Sequence, residues 1–173
     1  MKSPCILFID KEGLTSNVVT VDHIWQLHRF QQEHSLKLAP KLSEGLLLPG
    51  HFDKMNVGSA LKFFSRGIAA GLKTLVEKYG YSSDLNTTAW FFEHIRRWFD
   101  ISSTRKLTMA LSLKNPDAYN AAIGVLESTI PVMKEIKIGV GKWKPVQTGI
   151  IKSTTALLEQ QKLLLHEEGF GFL

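Results

Sequence analysis

The chain of 173 residues holds one cysteine, Cys5, which excludes an internal disulfide. With no matching base nearby in the sequence, that thiol is expected to be structural rather than nucleophilic. No stretch approaches the roughly 18 apolar residues needed to span a bilayer. The apolar patch in "MKSPCILFID" is too short, and too soon followed by Asp10, to be a secretory signal. A soluble, intracellular chain with no membrane partner is therefore expected. GxxxxGK[ST] is missing, and "GVGKWK" places its lysine at the wrong spacing, which excludes a standard P-loop. There is no GxSxG elbow or paired-carboxylate motif, so an autonomous hydrolase has no support. His23, His28, His34 and His51 fall early in the chain, but none pair three or four apart on a helix as zinc prefers. They read as ordinary core or surface histidines, with no metal site expected.

What the sequence does have is apolar and basic. An apolar content of 44% suits one domain with a real core, and nothing suggests disorder. Lys plus Arg number 21 against 16 Asp plus Glu, and the pI is near 9.3. This balance is compatible with a nucleic-acid or phosphate-bearing partner without requiring one.

Periodicity predicts a mainly α fold, a single helical domain of about five main helices without internal repeats. "PCILFI" reads as a short strand or, equally, a buried helical turn. "DHIWQLHRFQQEH" puts Ile24, Leu27 and His28 on one helical face, with Asp22 as cap. Two prolines and two glycines make "SLKLAPKLSEGLLLPG" a turn-rich connector, with room for a short helix between Ser43 and Leu48. Val57, Leu61, Phe64, Ile68, Leu72, Leu75 and Tyr79 recur at threes and fours and predict one continuous helix, capped by Asp53 and stopped by Gly80. Gly67 and Gly71 each cost about 1 kcal/mol relative to Ala inside a helix, so their presence predicts a close neighbour on that side.

In "NTTAWFFEHIRRWFDISS" an aromatic stripe of Phe91, Phe92, Ile95, Trp98 and Phe99 is core material, and Arg96 with Asp100 reads as an exposed pair. Asn115 and Pro116 open the next helix, which Pro131 is expected to end or kink. The last helix, around "TGIIKSTTALLEQQKLLLHEEG", is stopped by Gly169. Lys134, Lys137, Lys142 and Lys144 surround Trp143; a solvated loop with the tryptophan folded inward is preferred to a stacking surface for nucleic acid. The predicted core includes Leu61, Phe64, Ile68, Phe92, Ile95, Phe99, Leu157 and Leu158.

Four stretches in order, "LKLAPKL", "KMNVGSALKFFS", "TTAWFFEHIRRWFD" and "TGIIKSTTALLEQQ" ahead of "EEGFGFL", resemble the P-element-like DNA transposases and their THAP-domain relatives. The resemblance covers roughly residues 35 to 173, more loosely 1 to 34. It implies that residues 1–173 form the helical GTP-binding insertion that interrupts an RNase H-like catalytic domain. Carried over by position, Lys41, Val57, Ser65, Phe99 and Asp100 would line a guanine-nucleotide site, with Lys54 at its mouth. The residue types suit that work: lysine attracts phosphate, Val57 and Phe99 offer apolar contact, and Ser65 and Asp100 offer hydrogen bonds. Without the resemblance, the same residues serve helix entry and core packing.

Two positions depart from the family pattern. Ser103 stands where the family usually has asparagine, and Asn56 where it often has a basic residue. The family's catalytic carboxylates belong to RNase H-like segments on either side of such an insertion, and part of guanine recognition to a continuation beyond "GFGFL". The resemblance therefore implies no catalytic residue here, GTP as the ligand, a transposase core and DNA as partners, and a nuclear location. One reading is a guanine-nucleotide-binding module that supports DNA transposition. The alternative is a domesticated or truncated helical interaction domain that has lost GTP.

Overall fold

The apolar run at the start of the chain forms β1 (Ile6–Phe8), which pairs antiparallel with β2 (Val18–Thr20) and with β3 (Lys137–Ile138). The strand reading of "PCILFI" is the correct one; the sheet order is β2-β1-β3, with Leu7 opposite Val19 on one side and Ile138 on the other. The computed structural model describes residues 6–8, 16–48, 61–103, 115–138 and 144–167. Cys5, His51, Asp53, Lys54, Asn56, Val57, Lys142, Trp143 and Gly169 lie outside them. Apart from this small sheet the fold is mainly α: α1 (Val21–His34), α2 (Glu44–Leu47), α3 (Arg66–Tyr79), α4 (Leu85–Ser103), α5 (Pro116–Glu135) and α6 (Lys144–Glu167). Among the described residues, five of these have 14 residues or more. None is long and apolar enough to cross a membrane.

The chain divides into two compact units, the first of residues Met1–Arg96 and Lys137–Gly141, the second of Arg97–Ile136 and Lys142–Leu173. In the first, α1 is capped by Thr20 rather than Asp22: the Thr20 hydroxyl accepts the Asp22 amide at 3.2 Å. The aspartate instead lies in the first turn, where its charge complements the helix dipole. Ile24, Leu27 and His28 are buried as predicted, and Phe30 and Gln31 join them. Gln31 is tolerated inside because its side-chain oxygen takes the Ala39 amide at 2.6 Å. The short helix in the connector is α2, preceded by Ser43.

The helix predicted from Val57 to Tyr79 is interrupted. Residues 61–63 are helical, Phe64 and Ser65 leave the helix, and α3 starts at Arg66. Ser65 is extended at φ −103°, ψ 152°, and its hydroxyl accepts the Ile68 amide at 3.2 Å. The break lets consecutive aromatics share one partner: the Phe63 and Phe64 rings stand 5.0 and 4.8 Å from Phe92 of α4. Neighbours 100° apart on one helix would diverge instead.

Ile68, Leu72 and Leu75 fill the buried face of α3, while Tyr79 is 42% exposed. Gly80 closes the helix at φ +69°. Of the two glycines read as close packers, one is: a Cβ on Gly71 would meet Leu27 Cδ2 at 3.1 Å and Leu38 Cβ at 3.5 Å. Gly67 is exposed, and a Cβ added there would meet Ser65 Oγ only at an ordinary contact distance of 3.8 Å.

Two adjacent threonines on α4, Thr87 and Thr88, are fully buried. Thr87 donates to the Ser16 carbonyl at 2.8 Å and accepts the Ser16 amide at 3.2 Å. Thr88 Oγ1 accepts the Thr20 amide at 3.4 Å and shares a hydrogen bond of 2.6 Å with Nδ1 of buried His23. Desolvation lowers the His23 pKa below the usual 6.5, against the pull of Asp84 and then Asp22.

In the second unit α5 and α6 pack as an antiparallel pair. Tyr119 near the start of α5 reaches Gln161 near the end of α6, and the Gln147 side chain donates to the Met133 and Ile136 carbonyls at the opposite end. Asn115 caps α5 by accepting the Ala118 amide, with Pro116 first in the helix as predicted. Pro131 does not end α5, which runs on to Glu135. Pro131 and Glu127, whose carbonyl loses its helical donor, are both exposed, so water can serve that group. Thr154, 1% exposed, takes the indole N–H of Trp98 at 2.7 Å. Lys137 belongs to β3, so the basic segment is not the continuous loop expected. Of the predicted core, Ile68 and Phe92 are buried and Leu61, Phe64, Ile95, Phe99, Leu157 and Leu158 are half-buried.

Two outcomes follow from this packing. Gly124 is exposed within α5 with no atom within 4 Å of an added Cβ, so Gly124→Ala should raise stability by about 0.5 to 1 kcal/mol; Gly71→Ala should lower it, since Leu27 is fully buried and has nowhere to move. Denaturant titration of both variants checks the opposite signs. Because folding favours neutral His23, the unfolded chain binds its proton more readily. The stability from this group is thus fully present above pH 6.5 and lost as pH falls below it. Midpoints measured down from pH 7 should fall less steeply in His23→Gln than in the parent.

Candidate functional site

Lys41 lies in the stretch "APKL", and the chain shapes it as a turn. The Leu42 amide donates to the Ala39 carbonyl at 3.0 Å, with Pro40 at the position where its fixed φ favours a turn. Ala39 and Leu42 are buried at 2% and 6% exposure, and Gln31 holds the Ala39 amide. Lys41 between them is exposed. Two anchored apolar residues thus display one cation, a suitable arrangement for attracting an anion from solution.

Ser65 is half-buried at the head of α3. Its oxygen is used as a helix cap, which the sequence reading did not foresee, yet accepting the Ile68 amide leaves the hydroxyl proton for another acceptor. Arg66 and Gly67 beside it are exposed.

Lys41 and Ser65 belong to the first compact unit, and Phe99 and Asp100 to the second. Phe99 and Asp100 are half-buried on the closing turns of α4. The Phe99 carbonyl accepts the hydroxyl of Ser103, the residue that stands in place of the family asparagine. Val57 is outside the described residues.

The sequence reading placed Arg96 in an exposed pair with Asp100, whereas Arg96 is half-buried. Its Nη1 donates to the Leu61 carbonyl at 2.8 Å, across 35 residues. One turn earlier on α4, Glu93 pairs with Lys73 of α3 at 2.8 Å, with both side chains partly exposed. Phe92, Glu93 and Arg96 share one face of α4 by their three- and four-residue spacing, which the sequence does display. It gives no sign that the guanidinium reaches a backbone carbonyl. Among the described residues no group of three or more His, Cys, Asp and Glu side chains could hold a metal ion.

Comparison with known proteins agrees with this architecture. No curated protein sequence matches the chain. The solved structure described as the Drosophila P element transposase strand transfer complex matches with a TM-score of 0.74 over 96% of this chain, at 23% sequence identity. The match spans 37% of that transposase chain and establishes a shared fold. A family model described as "TNP-like, GTP-binding insertion domain" matches residues 8–116, well over half the length. The chain therefore belongs to the family of TNP-like, GTP-binding insertion domains.

Proposed function

We propose that the chain is a guanine-nucleotide-binding module of a P-element-like transposase, supporting DNA transposition without itself cutting or joining DNA. The observation that carries this reading is the family match over residues 8–116. The anchored turn that displays Lys41 and the Ser65 hydroxyl with a donor to spare support it within the first unit. Residue by residue, Lys41 attracts the phosphates, Ser65 donates to a ligand oxygen, Val57 and Phe99 give apolar contact, and Asp100 accepts from the base. The whole of residues 1–173 serves as this module. Its partners are an RNase H-like transposase core and the DNA that core acts on, which implies work in the nucleus. The net charge of +5 suits such a setting.

Calorimetry with GTP and ATP on the parent, Lys41→Ala and Asp100→Ala tests the proposal. GTP should bind, and each substitution should weaken binding by about five- to fiftyfold, the loss expected when a charged hydrogen-bonding partner is removed. No heat from GTP at high concentration would leave the alternative, an interaction domain that has lost the nucleotide. Ser65→Asp separates cap from contact: aspartate caps a helix as well as serine, so α3 should keep its stability while affinity for a triphosphate falls. A second assay incubates labelled duplex DNA with the chain and magnesium or manganese. The expected result is intact duplex; cleavage that survives repurification and vanishes on mutation of a residue of this chain would overturn the non-catalytic part.

A further inference from the structure

The segment "LKFFSRG" is all helix by periodicity, yet the helix is cut in its middle, where groups of α4 meet it. In a continuous helix the Leu61 carbonyl would accept the amide four residues on, that of Ser65. Here Nη1 of Arg96 donates to that carbonyl at 2.8 Å. The guanidinium satisfies one of the orphan carbonyls at the end of the helical turn 61–63, and the Ser65 amide is released from helical register. Ser65 then takes extended geometry, and its side chain caps α3. Phe92, one turn before Arg96, receives both Phe63 and Phe64. Glu93 meanwhile fixes Lys73 in the body of α3. One face of α4 thus holds the chain on both sides of the break, with Glu93 on Lys73 after it and Phe92 and Arg96 on Phe63, Phe64 and Leu61 at and before it.

We infer that Arg96 is a positioning residue for the nucleotide: it holds the break after Phe63 open so that Ser65 stands outside the helix with its hydroxyl available to a ligand. This rests on the nucleotide-binding reading above. Arg96 acts through Leu61 and Ser65, and its charge is engaged by a backbone carbonyl of the same unit. Without the guanidinium, the favoured alternative returns the Ser65 amide to the Leu61 carbonyl, joins residues 61–63 to α3, and turns Ser65 into a helix-interior residue.

The experiment measures two quantities on the whole chain: affinity for a fluorescent GTP analogue, and hydrogen exchange at the Ser65 amide. The variants are Arg96→Ala, Arg96→Lys and, as a control for general destabilisation, Leu75→Val, which trims a buried side chain of α3 away from the break. Arg96→Ala should lose roughly tenfold in affinity while its Ser65 amide becomes more protected than in the parent, a gain that mere loosening of the fold would not produce. Arg96→Lys, which keeps one donor, should recover affinity to within about threefold of the parent. Leu75→Val should change affinity by less than about twofold. If the parent binds the analogue and Arg96→Ala loses no more affinity than Leu75→Val, or its Ser65 amide exchanges faster, the positioning role is overturned and the nucleotide reading stands. If the parent itself does not bind, the nucleotide reading falls and takes this inference with it. Should Arg96→Ala fail to fold, Arg96→Lys decides alone: unchanged Ser65 exchange with affinity near the parent's supports the role, and a loss as large as that from deleting Lys41 overturns it.

Discussion

A buried hydroxyl left without a partner costs on the order of 1 to 3 kcal/mol, and α4 carries two buried hydroxyls side by side, both partnered. Thr87 and Thr88 are both at 0% exposure, and every bond they make outside their helix reaches the strand β2 or its flanks. Because successive residues on a helix point in different directions, the pair addresses two stations: Ser16 before the strand, and Thr20 at its end with His23 in the first turn of α1. The three-stranded sheet is too small to hold itself in place. It is secured because moving it would strand those hydroxyls along with the Ser16 and Thr20 backbone groups. From β2 the chain passes directly into α1, so the direction of the helix that carries Leu27 and Phe30 is fixed by the same contacts.

Further along, α4 performs a different task with different chemistry. Its first half holds the sheet by hydroxyl bonds; its middle holds the chain around Ser65 by aromatic rings, an ion pair and a guanidinium. The Lys73 to Glu93 pair is partly exposed and contributes little to stability. Its value lies in register, since together with Phe92 and Arg96 it fixes where α3 begins. A helix start is where amide donors lack partners, and Ser65 meets one of those needs.

Much of this was legible in the sequence and the limits are physical. Gly80, Asn115 with Pro116, and the alternation of apolar residues along α3, α4 and α5 are local signals, and local signals delimit helices. The break at Ser65 escaped because the poorest helix former of that stretch, Gly67, lies inside α3 and not at the break; what meets the freed Leu61 carbonyl is Arg96, 35 residues away. Thr20 took the cap from Asp22 for a similar reason, since its amide is held by Thr88 from another helix. Gly67 and Gly71 look alike in sequence, yet Leu27 approaches only one of them. The motifs around Lys41, Ser65 and Phe99 with Asp100 led to the right family, while the division of those residues between two compact units lies in the pattern of contacts and has no local marker.

The approach of Leu27 to Gly71 also bears on how such a chain can vary. With Leu27 Cδ2 only 3.1 Å from where a Cβ would be, the space between α1 and α3 at this point is already full. Evolution then sees the two positions as one volume rather than two identities. A methyl gained at 71 is acceptable in a relative whose residue 27 has given up a comparable bulk, such as valine or alanine for leucine. Drift there should come in compensated pairs, and either change made singly would be filtered out by the fold before any question of ligand arose.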